Sequence, residues 1–185
     1  APPAVIFESP VAVFPSDVGP DGLLLFGQGS DILGVHLNGD GEASPWLATP
    51  ATERNPAVSP DGDWVLYESD ESGRFEVYLR RLGGSAGARP VSIGGGVQPA
   101  WSEDGRTLYY RGEQDLRAVD VDLGSSPPSL GSPRTLWPLE GGDFTGHRSY
   151  DTLPDGGFVA IEPMLANSRF QVIYNLGAEL GRAGS

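Results

Sequence analysis

The chain of 185 residues contains no cysteine and no lysine, and these absences exclude several kinds of chemistry. Without cysteine there is no disulfide, no thiolate nucleophile and no cysteine-based zinc site. Without lysine there is no lysine Schiff base or lysine general base. No run of about 18 apolar residues is present, so the sequence predicts no transmembrane helix. The start, Ala1-Pro2-Pro3-Ala4, lacks the basic region and apolar run of a signal peptide.

Positive charge is also scarce, because twelve arginines accompany 25 acidic residues and give a net charge of −13. Nucleic-acid binding needs clustered cationic side chains that neutralise phosphates, and docking on an anionic membrane surface needs the same. We therefore expect no nucleic-acid partner and no membrane insertion in this segment. No residue pattern calls for a cofactor or a metal ion.

Tight turns are abundant, since the chain has 27 glycines and 17 prolines. One short phrase that ends in Asp-Gly occurs four times, and its aspartates are 40, 43 and 51 residues apart (61−21, 104−61 and 155−104). A repeat of about forty residues built on hairpin turns is typical of a β-propeller. The four pairs are Asp21-Gly22, Asp61-Gly62, Asp104-Gly105 and Asp155-Gly156.

These aspartates invite a catalytic or metal-binding interpretation, but turn chemistry explains them better. An aspartate before glycine accepts backbone N–H bonds, and the glycine adopts the positive φ that closes the turn. We therefore interpret all four pairs as structural.

Strand patterns follow each turn in the same order. In the second repeat they predict strands at 55–58, 64–68, 75–80 and 89–92, the last at a sheet edge because it contains proline. The prediction is an all-β, propeller-like fold of about four four-stranded blades in one domain, 1–185. Residues 124–133 are expected to form an inserted loop. The repeats cover 11–48, 54–92, 97–138 and 147–176.

The fourth repeat lacks a clear outer strand, and the apolar run Val5-Ile6-Phe7 is a candidate to supply it. A propeller closed in this way leaves no exposed sheet edge. Three alternatives stay open: a small closed ring, the C-terminal part of a larger propeller, and a homo-oligomer that completes the ring between chains.

The phrases Pro56-Ala57-Val58-Ser59-Pro60-Asp61-Gly62 and Pro99-Ala100-Trp101-Ser102-Glu103-Asp104-Gly105 resemble the TolB-like propeller repeat. The resemblance covers roughly residues 11 to 175 and implies a bacterial protein in an extracytoplasmic or periplasmic location. The tail Phe170-Gln171-Val172-Ile173-Tyr174-Asn175-Leu176 is similar to propellers that follow bacterial serine/threonine kinase domains. Rings of this family usually have six or more blades, whereas four repeats are found.

The resemblance implies a non-catalytic binding or sensor module for a protein or peptide partner. One alternative is an accessory propeller of a larger enzyme, such as a prolyl oligopeptidase-like peptidase or a membrane kinase. Another is a stand-alone propeller hydrolase or lyase with a calcium ion in its channel. We recognise no catalytic constellation in the sequence, so no catalytic residue is assigned.

The candidate contact residues are Phe144, His147 and Arg148, in the loop that leads into the fourth repeat. Loops carry binding function more often than strands, and histidine and arginine suit a partner or an anion. His147 near Ser149 and Asp151 invites a nucleophilic mechanism, but the run lacks the Gly-x-Ser-x-Gly turn.

Other conspicuous residues are interpreted as structural. His36 is expected to face solvent or to be satisfied within a strand, and the acidic segment 68–72 to form a solvated hairpin tip rather than a calcium loop. The tryptophans are expected to pack between sheets as large apolar wedges. They are Trp46, Trp64, Trp101 and Trp137.

Overall fold

The computed structural model describes residues 5–39, 41–84, 86–139, 148–153, 155–164 and 169–174, and these residues form antiparallel sheets without any helix. No segment among them is therefore a helix long and apolar enough to cross a membrane. The chain divides into two compact units, Ala1–Gly94 and Gly95–Ser185.

The first unit contains two four-stranded sheets, and in each sheet the strands follow one another in chain order. This meander arises because each strand is joined to the next by a short turn or hairpin. The first sheet is β1 (Val13–Val18), β2 (Leu23–Gln28), β3 (Asp31–His36) and β4 (Ser44–Leu47). The second is β5 (Glu53–Val58), β6 (Trp64–Ser69), β7 (Glu76–Arg81) and β8 (Arg89–Pro90).

The second unit contains the third and fourth sheets. In the third sheet β11 pairs with both β12 and β13, so two short strands share its outer edge. The third sheet is β9 (Val97–Trp101), β10 (Thr107–Arg111), β11 (Asp115–Asp122), β12 (Ser129–Leu130) and β13 (Arg134–Pro138). The fourth, as far as it is described, is β14 (Tyr150–Thr152), β15 (Phe158–Met164) and β16 (Arg169–Tyr174).

The Asp-Gly turns join the first strand of every sheet to the second. In each turn the aspartate Oδ1 accepts a backbone N–H two residues later, at 2.9–3.0 Å. The glycine after it has a φ between 68° and 82° and donates its N–H to the residue three positions earlier. This is the left-handed region that favours glycine, so the repeated phrase is a turn signal.

Each unit has a core that lies between its two sheets. Leu25 and Ile32 of the first sheet pack in one cluster with Val65 and Tyr67 of the second. Trp46 packs on this cluster and meets Tyr67 edge-on, with ring centroids 5.8 Å apart. Trp137 packs in the same way on the cluster of the second unit, which joins its two sheets.

The all-β repeat architecture predicted from the sequence is confirmed, with three local differences. The inserted loop 124–133 contains the short strand β12, and β1 precedes the first turn although its sequence carries Pro15. Val5-Ile6-Phe7 does not form a strand, and the Phe7 ring packs against Phe26 of the first sheet, with centroids 5.3 Å apart. The single-domain boundaries stay a prediction.

Candidate functional site

The beginning of strand β5 carries a buried polar network in the first unit. Glu68 of β6 is fully buried, and it accepts hydrogen bonds from Arg54 Nε and Asn55 Nδ2, both at 2.7 Å. A buried carboxylate without partners costs several kcal/mol, so these two donors are what allow Glu68 inside the sheet. The Arg54 guanidinium also lies 3.8 Å from the ring centroid of Phe75.

The backbone at this point is unusual and recurs one sheet later. Asn55 has φ 51° and Gln98 has φ 57°, the left-handed region that non-glycine residues rarely adopt. Each precedes a proline and stands six residues before its turn aspartate (61−55 and 104−98). The pairing register of β5 and of β9 shifts at the same place, as it does at a β-bulge. A left-handed residue at a register shift therefore changes the direction of a polar side chain in the same way in the second and third sheets.

Further hydrogen bonds hold the loops around this network. The backbone N–H of Thr52 donates to Asp70 Oδ1 at 2.8 Å, which ties the segment before β5 to the β6–β7 hairpin. The Thr49 hydroxyl donates to the buried Glu53 carboxylate. Glu76 accepts from Gly94 N at 2.7 Å. These contacts tie the loops of the second sheet to its strands.

The second unit has a corresponding network at the beginning of β9. Gln98 Oε1 accepts from Ser149 N at 3.0 Å and from Ser149 Oγ at 2.8 Å. Arg111 Nη1 donates to Ser149 Oγ at 3.1 Å, and the Tyr150 hydroxyl donates to the Gln98 carbonyl at 2.6 Å. All four residues are buried. Their hydrogen bonds connect β9 and β10 of the third sheet to the start of β14 in the fourth sheet.

Of the three candidate contact residues, only Arg148 lies in the described part of the chain. It precedes the buried Ser149, its side chain is 39% exposed, and its guanidinium lies 3.4 Å from the carboxylate of Asp151. Arg148 is therefore a partly exposed cation next to a buried hydrogen-bond network. Phe144 and His147 lie outside the described residues.

The other sequence-based interpretations have mixed outcomes. His36 is exposed at the end of β3, as expected for a solvent-facing strand residue. The acidic segment 68–72 is only partly a solvated tip, because Glu68 and Ser69 belong to β6 and are buried, whereas Glu71 and Ser72 are exposed. Within the described ranges, no three histidine or carboxylate side chains are grouped so that they could hold a metal ion.

An open cleft of about 380 Å³ lies beside the two Asp-Gly turns of the second unit. Tyr109 and Phe158 form its aromatic wall and meet edge-on, with centroids 4.9 Å apart. Asp104 lines the cleft, and hydrogen bonds from Ser102 Oγ and from the Arg106 N–H hold the pKa of its carboxyl below the ordinary value. Burial raises the pKa of Tyr109, so its hydroxyl stays neutral.

Sequence reasoning missed both polar networks, although one signal for them exists. A polar residue before proline, six positions ahead of the turn aspartate, marks Asn55 and Gln98 alike. The partners Glu68 and Arg111 carry no such local mark, because each is recognised only when the strand pairing is known.

Comparison with known proteins agrees with this geometry. A TolB homolog from Chlorobaculum tepidum is 32% identical over 71 residues, which are 36% of this chain and 16% of that protein. A structure described as TolB from Agrobacterium tumefaciens superposes with a TM-score of 0.69 at 21% identity, covering 92% of this chain and 61% of that one. The fold is that of a TolB-like β-propeller.

TolB from Acinetobacter baumannii has a TM-score of 0.68 at 16% identity, covering 93% of this chain and 43% of that one. The chain thus spans less than two thirds of each of these relatives. No family model matches it. An oligogalacturonate lyase in complex with manganese shares the architecture at 13% identity, with a TM-score of 0.56. The fold alone therefore does not separate binding from catalysis.

Proposed function

We propose that this TolB-like propeller chain is a protein-interaction module that binds a protein or peptide segment through the loop leading into its fourth sheet. The observation that carries the proposal is the position of Arg148, an accessible cation next to the buried Gln98–Ser149–Arg111 network. A rigid support lowers the entropy that a binding loop loses when it captures a partner. Phe144 and His147 complete the proposed contact set.

The charge of the chain favours a partner with a matched surface. The net charge of −13 attracts basic segments of a partner over long range. An acidic segment of a partner is attracted only where the chain offers a cation such as Arg148. A basic partner would be steered by the whole molecule, and its acidic or C-terminal carboxylate groups would pair with Arg148.

Peptides selected from a random phage-displayed library on the purified chain provide the test. The dissociation constants of these peptides are then measured for the wild type, for Arg148→Ala, and for Arg106→Ala, which removes an exposed cation from the Asp104-Gly105 turn of the same unit. We expect Arg148→Ala to weaken binding by about tenfold and Arg106→Ala to leave it unchanged. Equal affinities for the two variants would rule out this binding loop.

The location and wider role belong to the same proposal. TolB likeness supports a bacterial, extracytoplasmic or periplasmic setting, in which the propeller acts as a sensor or a docking domain. Attachment to a membrane kinase remains a hypothesis that rests on the tail residues Phe170-Gln171-Val172-Ile173-Tyr174. Fusion of the native gene to a reporter that is active only outside the cytoplasm tests the location.

The enzyme alternative is weaker but has one supporting observation, the shared architecture with a manganese-bound lyase. An accessory role in a larger enzyme is compatible with a chain that spans 61% or less of its TolB-like relatives. Metal analysis of the purified protein separates a stand-alone metal-dependent hydrolase or lyase from a binding module. A homo-oligomer that completes the ring remains part of the proposal.

A further inference from the structure

The first sheet has two faces, and only one of them packs against the second sheet. Leu25 and Ile32 point into the core between the first and second sheets. Side chains alternate along a strand, so Phe26 and Val35 belong to the opposite face. Both are only 2% exposed, which means that something other than the second sheet covers them.

Phe26 is covered by the segment of residues 5–12, here called the N-terminal strap. Its Phe7 ring lies against Phe26, with centroids 5.3 Å apart, and its Ser9 Oγ accepts a hydrogen bond from Gln28 Nε2 at 2.8 Å. Gly41 shows how closely the strap is fitted, because a Cβ at this position would collide with the backbone oxygen of Ile6. The strap therefore packs on the sheet without forming a strand.

Exposed apolar side chains are concentrated in the strap and β1. Six large hydrophobic residues are exposed among the described residues, and five of them lie between positions 5 and 18. Exposed apolar side chains that are grouped in one segment mark an interaction site more often than scattered ones do. The strap contributes Val5 at 75%, Ile6 at 41% and Val11 at 56%, and β1 contributes Val18 at 46%, which pairs with Leu24 on the face of Phe26. The fifth, Phe14 at 54%, pairs with Gly27 and therefore lies on the opposite face of the sheet, outside this patch.

The low charge of residues 5–18 indicates which kind of partner this surface can bind. Residues 5–18 contain two ionisable side chains, Glu8 and Asp17, although the whole chain carries −13. Both carboxylate oxygens of Asp17 are already engaged, by the backbone N–H groups of Val18 and Val58 at 2.8 Å. A basic partner would find little to bind here, whereas two copies of this acidic chain would repel each other least at this surface.

We propose that the N-terminal strap together with β1 is a self-association surface, on which a second copy of the chain packs the same surface in a two-fold symmetric contact. Such a contact is isologous, so an apolar and nearly uncharged patch is complementary to itself. The inference gives the proposed homo-oligomer a contact surface, and it does not rest on the proposed partner binding at Arg148.

The test measures the molar mass of the full chain by light scattering, from about 1 to about 100 µM, the range in which a weak dimer dissociates. We expect a concentration-dependent dimer that strengthens at high salt, because salt screens the repulsion between two acidic copies. A monomer over the whole range would overturn the proposal, and binding of an apolar dye at the patch would then indicate another occupant, such as a further blade of a longer chain.

Matched variants locate the contact. Val11→Asp or Val18→Asp places two like charges in a symmetric interface and should weaken the dimer by about tenfold or more. Ile93→Asp is the control, because Ile93 is the sixth exposed hydrophobic residue, 86% exposed and outside the patch. Equal effects of Val18→Asp and Ile93→Asp would contradict the location. Circular dichroism verifies that every variant is folded.

A glycine pair tests the part played by the strap. Gly41→Ala would push the strap away because the new Cβ would clash with the backbone of Ile6. Gly29→Ala is the control: Gly29 has a φ of +65°, close to the +79° of Gly41, but no atom lies within 4 Å of a Cβ at this position. We expect Gly41→Ala to weaken the dimer more than Gly29→Ala. A stronger dimer in Gly41→Ala would show that the strap covers the docking surface instead of forming it, and would overturn that part of the proposal.

Peptide binding at Arg148 is measured separately on the same variants, so the two proposals can fail independently.

Discussion

Glu68 shows how one buried side chain can join two strands. Its carboxylate is fully buried in the second sheet and is satisfied by Arg54 and Asn55. Asn55 reaches it only because its backbone adopts the left-handed conformation, and Arg54 covers the ring of Phe75 while it donates. Removing the carboxylate therefore leaves two donors facing an empty space inside the sheet.

We expect Glu68→Ala to lower the free energy of unfolding by about 2 kcal/mol, the size of a lost buried charged hydrogen bond. The side chain of Arg54 is 30% exposed and can still reach water, which keeps the cost below that of a fully buried orphaned charge. Urea unfolding measures the change. Glu71→Ala on the exposed tip of the same hairpin is the control and should stay close to the wild type. Equal losses in both variants would contradict this view.

Asp104 provides a pH-dependent prediction. Its pKa is lowered in the folded chain, first by the Ser102 hydroxyl and then by the Arg106 N–H. A lowered pKa means that the folded state binds the proton less readily than the unfolded chain, so the stabilisation is present above the ordinary pKa and is lost as the pH falls through the folded value.

We therefore expect the stability difference between the wild type and Asp104→Asn to shrink as the pH is lowered from about 6 to about 3. Chemical denaturation across this range measures it. Ser102→Ala removes the main cause of the shift and should reduce the same pH dependence. Parallel stability curves for the wild type and Asp104→Asn would show that the turn carboxylate does not contribute.

At the scale of elements, the turns constrain the fold because they impose a backbone conformation. Gly62 has φ +79°, and a Cβ there would lie 2.8 Å from Pro20 Cγ of the preceding turn. Gly73 has φ +90° in an open hairpin, with nothing within 4 Å. The two glycines therefore share a conformational requirement but differ in their surroundings.

Gly73→Ala should cost about 1–2 kcal/mol, the penalty for a side chain in the left-handed region. Gly62→Ala should cost more, since it pays the same penalty and also pushes against the ring of Pro20. Thermal or denaturant unfolding of the two variants gives the comparison. A Gly62→Ala variant that is no less stable than Gly73→Ala would show that the turns of the first and second sheets move apart freely.

The elements that could be predicted from the sequence are those with local causes. Turn pairs such as Asp61-Gly62 and alternating strands such as β7 follow from adjacent residues. Val5-Ile6-Phe7 has the composition of a strand, yet it packs on Phe26 through side chains, because no sheet edge pairs with it. The role of Glu68 depends on Asn55, which is thirteen residues away. The residues that follow Glu68 in the sequence are acidic or polar, so they predict a solvated hairpin tip instead.

At the scale of the whole molecule, charge is the dominant property. The excess of 25 acidic residues over twelve arginines makes the compact state repel itself. Several of the arginines pair with carboxylates on the surface, as Arg81 does with Asp63 at 3.3 Å and Arg148 with Asp151 at 3.4 Å. Such exposed pairs contribute little on their own, so the general repulsion outweighs them.

We expect added sodium chloride to raise the melting temperature, by a few degrees between about 0.01 and 0.15 M, because screening weakens the repulsion more than it weakens the exposed ion pairs. Scanning calorimetry at dilute protein concentration measures the shift. A melting temperature that falls with salt would indicate that the arginine–carboxylate pairs hold the fold together. Equal osmolarity of sucrose serves as the uncharged reference.

The distribution of the four tryptophans has a spectroscopic consequence. Trp46 and Trp64 belong to the first compact unit, and Trp101 and Trp137 belong to the second. Trp46 sits edge-on to Tyr67, while Trp64 lies with its ring 6.0 Å from the Arg81 guanidinium, so their emission should respond to different events. Replacing the tryptophans of one unit with phenylalanine would make fluorescence a reporter of the other unit alone, and the order in which the two units unfold could be read from two spectra.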